Sequence, residues 1–559
     1  MNENLESYQS EVNLTPPVLN SPLPESVPFA QSAIQKKSWP LLPHDSVFAW
    51  IALLFGFLII RYILFFTDGL HTTLCYLLLY GFSALYIRKS GCKPRLPHRI
   101  LGAIICLFSF SFSLTASGLL HVLCVGFLTP AIIWRTHSVC GGAGFVTRFF
   151  PLDLFDSFLI KPFGHFSAGP QAISASVKKS SAASAVKTVL VGLLVTIPLT
   201  IVVGFLLASA DSGIEKMFMQ FDTLLSRNFS ELFWQILLGI PAGLLLFGTL
   251  YSASQRKYCA SPFPTDAFYQ GKLAGLRTIP NLGLYAGITP ICLLYLVYVI
   301  SQTSYFLSAF AGKLPDGMIY SEYARRGFFE LCAIAVINLI VILVLTGCAK
   351  KCGTERPKAL TVYAVILCLF TLFIIATAVA KMFLYINAYG MTQLRIYTTW
   401  FMVLLAITFL VLLIRQFTAK IPTAAVLTST FIIMLGILCF GKPDARIAEY
   451  NIKHYADGTL SELDVEMLCD LSEDAYAVMA REENAYILES AGKLDTVIRR
   501  GNHIVESYQY HPDKERNISA QLLIQDVHCG TLREDSDYGN AETVRGKTGD
   551  TQQYDLLGE

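Results

Sequence analysis

About eleven stretches of roughly 20 apolar residues constrain this chain more than any other feature. Within hydrocarbon a segment of that length satisfies its own backbone polar groups only as a helix. The stretches fall at about 45–66, 70–88, 100–117, 119–134, 188–208, 232–251, 282–302, 328–347, 360–380, 396–414 and 422–440. The third and fourth form one apolar run, interrupted only at Ser117-Gly118. The expected fold class is therefore an all-α polytopic membrane helix bundle of about eleven spans, followed by a small C-terminal helical soluble region. Only 15% of the residues are charged, against roughly 25% in soluble domains.

Charge divides the chain and orients it. Residues 1–440 carry 31 Lys/Arg against 17 Asp/Glu, and residues 441–559 carry 12 against 24. With the N-terminus inside, the inner segments hold 23 Lys/Arg and the outer segments seven. The positive-inside rule then places the N-terminus in the cytoplasm and, for an odd number of spans, the acidic tail outside. The expected location is the bacterial plasma membrane. Residues 1–44, with seven prolines and a polar, acidic start, read as a disordered tail without a cleavable signal. Residues 45–440 form the membrane domain, 441–510 a small helical soluble region and 511–559 a disordered acidic tail.

Several stretches carry side chains suited to binding. Tyr320-Ser-Glu-Tyr-Ala-Arg-Arg-Gly-Phe-Phe-Glu-Leu331 packs four charges and four aromatic rings before the eighth span. On a helix Glu322 faces Arg325 and Arg326, and Arg326 faces Glu330. Asp211 follows the small residues of Leu206-Leu-Ala-Ser-Ala-Asp-Ser-Gly213. Between the ninth and tenth spans Gly390 permits a sharp turn, Thr392 can cap the next helix, and Arg395 falls in its first turn. A cation there opposes the helix dipole and calls for an anionic partner. Glu322, Arg325, Arg326, Arg395 and Asp211 are thus the candidate binding residues, and each has a structural alternative as a clasp or helix end. His121 reads as a hydrogen-bonded packing residue and Arg61 as an interfacial anchor. Phe149–Ile160 suits a helix lying at the interface. No catalytic residue, metal set or cofactor is expected: the cysteines are scattered and no His-Glu-x-x-His or Gly-x-Ser-x-Gly pattern occurs.

In the tail, Ser461 and Asp464 fit a capping box before a helix bearing Leu460, Leu463, Met467, Leu468 and Leu471 on one face. Ser472-Glu-Asp starts another through Tyr476.

The Tyr320–Leu331 stretch, Tyr389-Gly-Met-Thr-Gln-Leu-Arg395, Leu207-Ala-Ser-Ala-Asp211, Pro443-Asp-Ala-Arg-Ile-Ala-Glu-Tyr-Asn451 and Leu468-Cys-Asp-Leu-Ser-Glu-Asp-Ala475 resemble bacterial polytopic proteins of domain of unknown function family 4173, related to family 4153. The resemblance implies the fold and a bacterial membrane, and no catalytic residues. Tyr476 and Ala477 stand where that family has Val and Pro, which lets the helix continue.

The first functional reading is a cell-envelope sensor, scaffold or assembly component. The alternative is a transporter or lipid-handling protein that meets an anionic group at the outer arginines, and an intramembrane enzyme comes third. Expected partners are the lipid bilayer and an anionic lipid or envelope protein, with no nucleic acid. If Arg326 serves Glu322 and Glu330, Arg326→Ala lowers the melting temperature in detergent; unchanged melting contradicts that pairing.

Overall fold

The computed structural model describes residues 41–65, 69–142, 146–176, 227–258, 280–301, 328–347, 357–418, 421–510 and 517–528, with a few single positions such as Gly144 and Tyr269. Every element over these stretches is helical. Nine of the described helices are long and apolar enough to cross a membrane. They are α1 (Asp45–Ile59, extended by a π-helical turn Ile60–Phe65), α2 (Leu70–Lys89), α3 with its short continuation α4 (Leu96–Ser109, Ser111–Leu114), α5 (Gly118–Gly141), α9 (Arg227–Tyr258), α10 (Asn281–Ser301), α12 (Lys358–Tyr389), α13 (Gln393–Phe417) and α14 (Thr423–Phe440). Helix α11 (Phe328–Gly347) adds a shorter apolar stretch, Leu331–Gly347. The expected span at 188–208 lies outside the described residues. The break between the third and fourth spans falls at Thr115–Ser117, one turn of chain before Gly118.

Close backbone approach holds the first span to α9. Gly239 and Gly243 are four residues apart on one face of α9 and meet Gly56 of α1. A Cβ on Gly243 would lie 2.7 Å from Leu53 Cα, and one on Gly239 2.9 Å from Phe57 Cα. In lipid, where burial of apolar surface gives little drive, such small-residue contacts let dispersion forces act between backbones. A second apolar core joins α10 to α13 around Leu367, Cys368, Ile374 and Phe409. A polar thread runs through it, satisfied in series. Tyr295 donates to Asn338 (2.7 Å), and Asn338 donates to Thr371 (2.9 Å).

Between α5 and α9 lie α6 (Phe150–Phe155), a π-helical turn (Asp156–Ile160), α7 (Lys161–Gly164) and α8 (Ala168–Ser176). This is the stretch expected at the interface, and its polarity is inverted relative to a soluble helix. Asp153 is buried, while Phe155, Ile160 and Phe163 point out, each more than half exposed. The acids turn towards the bundle because cationic and hydroxyl partners wait there.

After the last span the chain continues as α15 (Pro443–Ala456), α16 (Val465–Cys469), α17 (Glu473–Met479), α18 (Glu482–Ser490), α19 (Leu494–Tyr510) and α20 (Ile518–His528). They share a core that includes Ile447, Leu468, Tyr476, Met479, Leu488 and Val497. Two expectations need correction. Asp464, not Ser461, caps α16, accepting from Met467 N–H at 3.0 Å. The chain past residue 510 is also not without structure throughout, because α20 buries Ala520 and Leu523 completely. The continuation through Tyr476 and Ala477 is helical, as the missing proline allows.

Gly243→Leu forces α1 and α9 apart and should cost about 1–3 kcal/mol by overpacking. Gly81→Ala, with open space around it, should leave melting in detergent unchanged. Equal behaviour of the two variants would contradict the close approach.

Candidate functional site

Three of the stretches on which the family resemblance rests converge at one end of the bundle. Asp474, in the first turn of α17, has a fully buried side chain. Its Oδ2 accepts from Thr115 Oγ1 (2.6 Å) and from the Ala116 N–H (3.0 Å), both in the break between α4 and α5. Its Oδ1 accepts from Ser519 of α20 and pairs with Lys442 Nζ at 3.1 Å. Placement at a helix N-terminus adds the favourable end of the α17 dipole. A buried carboxylate costs several kcal/mol unless its lone pairs are filled. Here four donors fill them, drawn from the bundle, the link after the last span, and the tail's final described helix.

The neighbouring contacts are built the same way. Lys442 adopts φ 46°, the one positive φ at a non-glycine among the described residues. That sparsely populated conformation turns the chain out of α14 while its side chain reaches back to Asp474. Asp444, fully buried, accepts from Gln393 Nε2 (2.9 Å) through Oδ1 and from Ser472 Oγ (2.6 Å) through Oδ2. Asn451 clasps the turn between α12 and α13. Its Oδ1 accepts from Met391 N–H (2.6 Å) and its Nδ2 donates to Met391 O (2.8 Å). Gly390 holds φ 77°, and a Cβ there would come 2.5 Å from Asn451 Oδ1. Ser117 Oγ lies 3.2 Å from the Tyr397 hydroxyl of α13. His121 Nε2 lies 2.8 Å from Thr115 O and packs beside Phe112, as a hydrogen-bonded packing residue does.

Thr392 caps α13, its side chain accepting from Arg395 N–H at 3.4 Å. The Arg395 guanidinium donates to Tyr389 O (3.0 Å) and Gly390 O and lies 3.9 Å from the Tyr385 ring centroid. In place of an anionic partner, the guanidinium meets the neutral carbonyl end of α12, where the helix dipole favours a cation. Glu322, Arg325, Arg326 and Asp211 lie outside the described residues, so only Arg395 of the five candidates is placed. Burial, followed by the nearby Cys469, holds the Tyr476 phenol well above its ordinary value of 10.0. Its hydroxyl donates to Cys469 O at 3.0 Å.

At the opposite end of α5, about 35 Å away by helical rise, sits a second buried polar group. Arg256 of α9 donates to Asp156 (2.8 Å), Ser157 Oγ (3.2 Å) and His137 Nδ1 (3.0 Å). Since Nδ1 accepts, the neutral ring carries its proton on Nε2. Asp153 accepts from Thr147 Oγ1 and from the Tyr269 hydroxyl, each at 2.6 Å. Burial and that carboxylate push the Tyr269 phenol up. The notable sequence signal is Arg256 itself, a cation at the end of a long apolar helix and in reach of the two acids of 149–160.

A 410 Å³ cavity between α5, α6 and α14 is lined by apolar side chains, including Phe127, Trp134, Phe150 and Phe431. Among the described residues no group of three His, Cys, Asp or Glu could hold a metal ion.

These features define a multi-pass α-helical membrane protein with a helical region locked onto one end of its bundle. The chain belongs to the family described as domain of unknown function DUF4153, whose model matches residues 102–482. That match takes in Thr115, Asp444, Asn451 and Asp474, while Ser519 lies beyond it. No curated protein and no solved structure matches the chain.

Asp474→Ala strands two hydroxyls and a backbone N–H. Because Lys442 is nearly half exposed, most of the loss comes from the buried hydrogen bonds, about 3 kcal/mol. Limited proteolysis should then cut after residue 441 under conditions that leave the wild type intact. The raised Tyr476 pKa favours folding below pH about 10 and works against it above. The tail should therefore become protease-sensitive in alkali, and Tyr476→Phe should reduce that sensitivity.

Proposed function

We propose that the protein is a scaffold, sensor or assembly component of the bacterial cell envelope, with the tail helices as the part that meets other envelope proteins. The Asp474 junction is the observation that carries this reading. A region tied to the membrane bundle through a four-donor buried carboxylate moves with the bundle, as a sensor or scaffold requires. A freely tethered domain would need no such linkage. The tail's own surface is polar and acidic, and Tyr486, 74% exposed on α18, gives a reporter position on it.

Charge supports an extracytoplasmic tail and a cytoplasmic N-terminus. The tail packs at the end of α5 that bears the Thr115–Ser117 break, and the basic loop between α2 and α3 lies at the other end. The finer kinship, to family 4173, rests on the Tyr320–Leu331, Tyr389–Arg395 and Leu207–Asp211 stretches and extends into Pro443–Asn451 and Leu468–Ala475. Transport or lipid handling through the outer arginines has less support, since Arg395 is engaged by carbonyl groups.

Tyr486→Cys in intact cells should react with a membrane-impermeant maleimide above the wild-type level. Reaction only after permeabilisation would contradict the orientation. A photo-crosslinking residue at the same position should give a discrete protein adduct that weakens when Asp474→Ala is added. Adducts with lipid alone, or none, would sink the scaffold reading.

A further inference from the structure

The end of the bundle away from the tail contains a 430 Å³ cavity lined by Arg88, Lys93, Arg99 and Arg135 together with Gly91 and Cys92. Among the described residues no carboxylate lines it. Three of these cations are exposed and by themselves would be an ordinary basic rim. Arg135 is different, being only 5% exposed. Its Nε donates to His98 O at 3.1 Å, and its guanidinium lies 4.6 Å from the Tyr80 ring centroid. Its Nη1 is buried and makes no hydrogen bond. Asp45 does not serve it, since that carboxylate accepts from Tyr86 (2.9 Å) and from Leu42 N–H (2.7 Å).

A buried guanidinium without a counter-charge is costly, and three further cations beside it raise that cost. An anion with several acceptor oxygens removes it, and a guanidinium binds phosphate through paired N–H donors. We propose that this cavity binds a phosphate group, with Arg135 at its floor and Arg88, Lys93 and Arg99 around it. Two sources share that chemistry: the headgroup of an anionic lipid and a free phosphate. The surroundings favour the lipid. Leu85 lies three residues before Arg88 on α2, and Leu96 three before Arg99 on α3, so each shares a helical face with a cation. Both leucines are more than half exposed, which suits acyl chains running beside a headgroup seated at the interface.

The test uses full-length protein in a neutral detergent, analysed by native mass spectrometry and thermal unfolding. The probes are phosphatidylglycerol, phosphatidylcholine and inorganic phosphate. The wild type should retain phosphatidylglycerol over phosphatidylcholine and melt at a higher temperature with it. R88Q/R99Q, two changes at exposed positions, should lower that retention roughly tenfold without altering the elution profile. Arg135→Gln should lower it further, with R88Q/R99Q deciding if that buried change impairs folding. Protection by inorganic phosphate alone, lost in the same variants, would support the phosphate site and assign it to a free anion. Equal retention of the two lipids with no protection by phosphate, or retention unaffected by R88Q/R99Q, would overturn the proposal.

Discussion

Burial of one carboxylate sets the arrangement of the tail on the membrane bundle. A carboxylate inside a protein needs donors on every side, and Asp474 obtains them from segments far apart in the chain. Thr115 alone is 359 residues away. The strained backbone of Lys442, the open turn at Thr115–Ala116 and the docking of α20 all make sense as ways of meeting that demand. The conformational cost at Lys442, of order 1–3 kcal/mol, is offset only because the surrounding contacts fix the conformation. Asp444 and Asn451 repeat the principle on α13 and on the turn before it, so three buried polar side chains span the same junction.

The two ends of α5 show opposite electrostatic solutions. At the tail end each buried acid meets its donors within the chain, and the junction is closed. At the other end Arg256 is matched by Asp156, but Arg135 has carbonyl and ring contacts and no acid among the described residues. One end is thus internally neutralised and the other carries excess positive charge. Such an asymmetry agrees with the loop charges that orient multi-pass proteins.

The spans were legible because hydrocarbon permits few structures, and apolar length reports them directly. The Thr392 cap, the Gly390 turn and the His121 contact were legible too, since each depends on neighbours within a few residues. The Asp474–Thr115 pair was not, because no local pattern encodes a partner hundreds of residues away. Helix α20 was missed for a related reason: its short apolar run sits in a polar, charged stretch, and its anchors Ala520 and Leu523 are buried only by packing on α17 and α19. The glycine contact could have been found, as Gly239 and Gly243 stand in a Gly-x-x-x-Gly frame within an apolar run. Arg395 was read as a cation calling for an anionic partner, whereas its guanidinium meets the neutral carbonyl end of the preceding helix.

The central claim is that Asp474 couples the tail to the bundle through direct contact with the α4–α5 break. A double-mutant cycle combining Asp474→Asn with Thr115→Val, followed by equilibrium unfolding in detergent, measures that coupling. A direct buried bond predicts an interaction energy of about 1–3 kcal/mol. Additive effects of the two substitutions would contradict the account.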